Sequence, residues 1–145
     1  MSDTTITSAN STFTLMASSV FPVPISMEGY AVDKAFASDS VDVAETQMGV
    51  DGIMSAGLIY QPKKITVSLQ ANSPSNAFFT DLNQYQQTKR DISYITGVIY
   101  LPSIGARYTL NKGVLKSLPM FPTAQKVLQP MDYVLEFESI DKDLI

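Results

Sequence analysis

Apolar and polar residues alternate with a period of two along much of this chain, the pattern of strands that bury one face. In residues 64–71 the apolar set is Ile65, Val67, Leu69 and Ala71, whereas Thr66, Ser68 and Gln70 form an opposite face that is small and uncharged. In residues 133–139, Tyr133, Leu135 and Phe137 oppose Val134, Glu136 and Glu138. Residues 40–47 set Val41, Val43 and Glu45 against Asp42, Ala44 and Thr46. Segments 12–21, 30–36, 94–101 and 107–116 are also predicted strands, with turns marked by Pro102, Pro119, Pro122 and Pro130.

Two stretches break the alternation. Residues 48–58 combine Gly49, Gly52 and Gly57 with the apolar Met48, Val50, Ile53 and Met54, and read as a hairpin tip or long loop. The other break is a helix over about 74–90. Ser73 is its expected N-cap and Pro74 its first helical residue; Phe78, Leu82 and Tyr85 share one side, and Lys89 and Arg90 suit its C-terminal dipole. Seven or so strands around one helix predict a mainly β fold, sandwich or barrel-like, with one flanking α-helix. Residues 1–11, polar and rich in Ser and Thr, read as a flexible arm, 12–140 as a single domain, and 141–145 as a C-terminal tail.

Composition narrows the chemistry. With 145 residues, 45% of them apolar, the chain is one domain in size. It has no Cys, which excludes disulfides and thiolate chemistry, and no His, which removes the commonest general base and metal ligand. The apolar-leaning stretch 13–25 is interrupted by Ser18, Ser19, Pro22 and Pro24 and reads as neither signal peptide nor membrane span, so synthesis in a cytoplasm is expected. Charge is segregated: residues 1–62 hold seven acids and one base, 63–126 eight bases and two acids, and 127–145 five acids and one base. Opposite charge on different faces suits head-to-tail self-association; ordinary mixed surface after folding is the alternative.

The runs MGVDGIMSAGLIYQPKKITVSLQANSP at 48–74 and LPSIGARYTLNKGVLKSLPMFPTAQKVLQPMDYVLEFESI at 101–140 resemble the tail tube proteins of contractile-tailed bacteriophages, a likeness extending over roughly 12–140. The resemblance implies a virion structural protein without catalytic activity or cofactor. Six subunits would form a ring, and rings would stack head to tail into an inner tube. A tail sheath protein would surround it, with tape measure protein and DNA inside and no membrane involved. Four tilted strands from each of six subunits would close a bore with a backbone radius of about 26 Å, wide enough for a duplex. On this view Met48, Gly49, Val50, Asp51, Gly52, Ile53 and Met54 form the inter-ring contact. Asp42, Thr66, Ser68, Gln70, Glu136 and Glu138 are lumen candidates, the acids repelling DNA phosphates across a gap comparable to the Debye length of about 8 Å.

Other chemistries fit less well. Alternation sends Asp42 and Glu45 to opposite faces, so Asp39, Asp42 and Glu45 make a poor metal site. Glu136 and Glu138, about 7 Å apart on one face, match a glycosidase pair in distance alone. No phosphate-cradling Gly motif occurs. The alternatives are the tube of a phage-derived bacteriocin or secretion apparatus, and, in a different class, a small ligand-binding β-barrel.

Overall fold

The computed structural model describes residues 11–17, 21–27 and 36–144. The expected N-terminal arm and most of the expected strand 30–36 lie outside these residues. Nine strands, one α-helix and a short 3-10 turn at Pro102–Ile104 are described: β1 (Thr12–Ala17), β2 (Phe21–Ser26), β3 (Phe36–Ser38), β4 (Ala44–Met48), β5 (Met54–Leu58), β6 (Lys63–Leu69), α1 (Asn76–Lys89), β7 (Ile95–Leu101), β8 (Ala106–Ser117) and β9 (Met131–Leu144). Seven strands form one antiparallel sheet in the order β2-β1-β7-β8-β9-β6-β3; β4 and β5 pair only with each other. The fold is mainly β with one flanking helix, as expected, and the sheet does not close into a barrel.

The period-two pattern places one apolar side chain of every pair on the same face. Phe13 and Leu15 of β1, Ile95 and Ile99 of β7, Leu110 and Leu115 of β8, Tyr133, Leu135 and Phe137 of β9, and Ile65, Val67 and Leu69 of β6 are all buried in one cluster. Leu110 and Leu115 are five residues apart, a spacing that strict alternation would send to opposite faces. A bulge resolves this: Ile95 pairs with Gly113 but Gly97 with Leu110, and Lys112 within the extra residue's stretch takes a positive φ of 47°. The sheet also curls strongly. Phe13 on β1 meets Phe36 on β3, near the sheet's opposite edge, edge to face at 5.3 Å.

The helix covers the inner face of this curl. Phe79 stacks on Tyr133 with centroids 4.1 Å apart, and Phe78 and Leu82 are buried beside it. The Tyr133 hydroxyl donates to Asn76 Oδ1 at 2.9 Å, while Asn76 Nδ2 donates to the carbonyls of Gln70 and Ala71. One asparagine therefore locks the first turn of the helix to β9 and to the turn that follows β6. The helix begins two residues later than expected, with Ser75 at the cap, because 73–75 form a preceding turn in which Ser75 N–H donates to Ser73 Oγ. Phe79, not Tyr85, completes the buried side; Tyr85 is half-buried.

Several strands differ from expectation. The predicted strand 12–21 is two, with Ala17 opposite Phe21 and Leu15 opposite Ile25. β2 is an edge strand, where Pro22 and Pro24 can lack amide protons without breaking the ladder. β9 runs past the expected 139 to Leu144, pairing residues 139–144 with 106–111 of β8. Ala71, expected to face the core, is half-buried beyond the end of β6.

Two outcomes test this packing. A Cβ at Gly113 would run into the Phe137 ring, so Gly113→Ala is expected to lower stability by about 1–3 kcal/mol in urea denaturation. Burial raises the Tyr133 pKa above its ordinary 10.0. A raised folded-state pKa contributes stability that is complete below pH 10 and lost as pH climbs through the folded value. Tyr133→Phe is therefore expected to cost about 1 kcal/mol at neutral pH, from the lost hydrogen bond, and to flatten the decline in stability above pH 10.

Candidate assembly surfaces

The hairpin of β4 and β5 is the part of the subunit least explained by its own core. Ala44 to Leu58 through Met48 to Met54 form the ladder, and the tip closes by Gly49 N–H to Ile53 O at 2.9 Å and Gly52 N–H to Gly49 O at 3.0 Å. Gly52 holds a φ of +83°, and Asp51 Oδ1 accepts the Ile53 N–H at 3.1 Å, so the tip is built by its own glycine and aspartate. Every residue of both strands is exposed. Met48, Val50, Ile53, Met54 and Leu58 each present most of their side chain to solvent, as do Val43 and Tyr60 at the base. The expected hairpin tip is thus a full hairpin whose tip spans 49–53. A lone two-stranded hairpin has marginal stability in water, and exposed apolar clusters of this kind mark interaction sites.

The lumen candidates divide among three places. Thr66, Ser68 and Glu136 lie on the sheet face opposite the helix, Thr66 across from Val134, Ser68 from Asp132 and Glu136 from Lys64. Ser68 is only 5% exposed, and its hydroxyl donates to Asp132 Oδ1 at 2.6 Å. Gln70 lies past the end of β6, half-buried, its carbonyl accepting from Ser73 and Asn76. Asp42 is exposed in the segment leading to the hairpin and does not join the sheet. The expected strand 40–47 begins only at Ala44.

The same uncovered face carries a ladder of opposite charges across β8 and β9. Arg107 pairs with Asp143 at 3.5 Å, Lys112 with Glu138 at 3.6 Å and Lys116 with Glu136 at 3.9 Å. Lys112 also lies over the Tyr94 ring, 5.3 Å from its centroid. Asn111 Nδ2 donates to Ser139 Oγ and Asp141 Oδ2 at 3.0 Å each. These pairs are solvent-facing and contribute little to stability, about 0–1 kcal/mol each. They do set the local field: Glu136 and Glu138 are each matched by a neighbouring lysine. Further along, Thr14, Thr96, Val98 and Thr109 continue this face with small uncharged side chains.

A second apolar surface was not anticipated from the sequence. Met120, Phe121, Val127 and Leu128, on the segment joining β8 to β9, are exposed, Phe121 by 76%. The sequence does hold a signal: Pro119 and Pro122 bracket Met120 and Phe121, so apolar residues sit inside a turn that cannot enter a ladder. Among the described residues no group of three or more Asp or Glu gathers to hold a metal.

A curled sheet sealed on one face by a helix, with an apolar hairpin left outside its core, defines a subunit shaped for assembly. The chain belongs to the family described as tail fiber protein gp32, whose model matches residues 4–141. It is a phage tail-type structural protein, a component of a tail or tail-like particle. No curated protein matches it. Its fold is similar to a chain in the cryo-EM structure of the anti-feeding prophage baseplate, six-fold symmetrised, with TM-score 0.65, 10% identity, and 99% and 97% of the two chains covered. It is also similar to a chain of the cap terminating the anti-feeding prophage tube, with TM-score 0.53, 12% identity, and 92% and 88% covered. A third likeness is to a chain in the extended sheath–tube complex of PVC, an extracellular contractile injection system, with TM-score 0.51, 13% identity, and 92% and 88% covered.

Because the hairpin touches no core, its amides at 44–58 are expected to exchange with solvent deuterium within seconds in the dispersed subunit, far faster than those of β8 and β9. Protection of the hairpin equal to that of the central strands would show that it is held within the subunit.

Proposed function

We propose that this protein forms the inner tube of a contractile tail, in hexameric rings stacked head to tail around a channel for DNA. The observation that carries this reading is the exposed apolar hairpin of β4 and β5. Its Met48, Val50, Ile53 and Met54 are costly to leave in water and gain about 1.5–3 kcal/mol each when fully buried by a neighbour. The likeness in fold to chains of a sheath–tube complex and of a six-fold symmetrised baseplate supports both the class of assembly and the ring number.

The bore wall in this reading is the sheet face that the helix leaves uncovered, with Thr66, Glu136 and Glu138 among its residues and Ser68 buried beneath its surface. The ion-pair ladder makes this wall locally neutral rather than acidic. A neutral wall still suits a conduit, since it offers DNA phosphates no unpaired cluster of cations to bind. Sheath protein outside, and tape measure protein and DNA inside, are the partners this arrangement takes. The helix then faces away from the channel.

A second reading follows from the baseplate and cap likenesses: a ring that begins or ends the tube rather than its repeating unit. Negative-stain microscopy of purified protein separates the two, long hollow tubes supporting the repeating unit and single rings the terminal piece. Met54→Asp is expected to leave circular dichroism unchanged and abolish tube growth. Tubes of normal length from this variant would overturn the hairpin's role.

A further inference from the structure

The exposed segment 117–130 and the exposed hairpin are complementary in charge as well as alike in being apolar. Residues 39–60 contain Asp39, Asp42, Glu45 and Asp51 and no base. Residues 117–130 contain Lys126 and no acid. Lys126 is exposed and makes no ion pair among the described residues. An acidic hairpin repels another acidic hairpin, so hairpin-to-hairpin contact across a two-fold axis is disfavoured and a heterologous receiver is favoured.

The segment is also shaped in advance. Pro119, Pro122 and Pro130 each fix a backbone φ. Ala124 bridges Leu128, and Gln129 N–H donates to Thr123 O at 3.0 Å. Holding Met120, Phe121, Val127 and Leu128 on a proline-stiffened loop reduces the entropy lost when a partner covers them.

We infer that residues 117–130 are the receiver for the β4–β5 hairpin of a second copy of this chain, Met120, Phe121, Val127 and Leu128 burying the hairpin's apolar residues while Lys126 meets its acids. This rests on the hairpin acting as the stacking element. It adds the opposite end of the contact: because donor and receiver differ, a copy that gives its hairpin to one neighbour still offers its receiver to the next, so the contact repeats from copy to copy wherever the geometry does not close it.

The test is zero-length carbodiimide coupling, which joins an amine to a carboxylate in contact, applied to assembled protein and to dispersed Met54→Asp, with peptides identified by mass spectrometry. Assembled protein is expected to join Lys126 to Asp51, Glu45 or Asp42 at least tenfold more than the dispersed variant does. Phe121→Asp, at an exposed position, is expected to keep its circular dichroism and lose assembly. Equal coupling in the dispersed variant would place the contact within one chain and overturn the inference. No Lys126 coupling, or normal assembly of Phe121→Asp, while Met54→Asp still blocks assembly, would overturn the receiver and leave the hairpin's stacking role standing. Normal assembly of Met54→Asp would remove that role and the receiver with it.

Discussion

The stack of Phe79 on Tyr133 determines which side of the sheet is inside. It is backed by the hydrogen bond from the Tyr133 hydroxyl to Asn76 and by that residue's grip on the carbonyls of Gln70 and Ala71. A single antiparallel sheet has two faces, and one helix can cover only one of them. With the helix fixed over β9 and β6, the curl that brings Phe13 to Phe36 completes an enclosed core. The other face is then free to be a wall, and the hairpin, which has no place in the core, is free to be a contact.

Much of this was legible in the sequence because alternation is a local property. The inward sets of β6 and β9 follow directly from their period of two, and the glycines that interrupt it mark 48–58 as a hairpin tip or long loop. What could not be read depends on distant partners. The bulge at Lys112 reverses the alternation of β8 where Gly113 pairs with Ile95 and lies against the Phe137 ring, both partners on other strands. Ser68 has the pattern of an outward residue, yet Asp132 across the ladder takes its hydroxyl and covers it. Phe79 outranks Tyr85 on the helix because a ring on β9 waits beneath it, 54 residues further along the chain.

Charge shows the same division between local and distant information. In sequence order the chain runs acidic, basic, acidic, which suggested faces of opposite sign. Folding lays the basic β8 beside the acidic β9, and three ion pairs cancel most of that contrast where the two strands meet. The segregation survives outside the seven-stranded sheet, in the acidic hairpin and at Lys126 in the segment between β8 and β9. Local neutralisation on the sheet and residual opposition at the protrusions belong to one arrangement: the uncovered face is balanced in charge and the protrusions carry the signs.

The hairpin's attachment has a mechanical consequence. It leaves the sheet through short stretches at 39–43 and 59–62 that belong to no strand; the Ile59 N–H to Val43 O bond at 3.1 Å closes the hairpin's own base, and Asp39 N–H to Lys64 O ties one arm to β6. No ladder continues from it into the sheet, so torque on its tip is borne by a few rotatable bonds. In the proposed assembly, joined through such arms, bending strain would gather at the joints while each sheet keeps its shape, the give of an articulated hose.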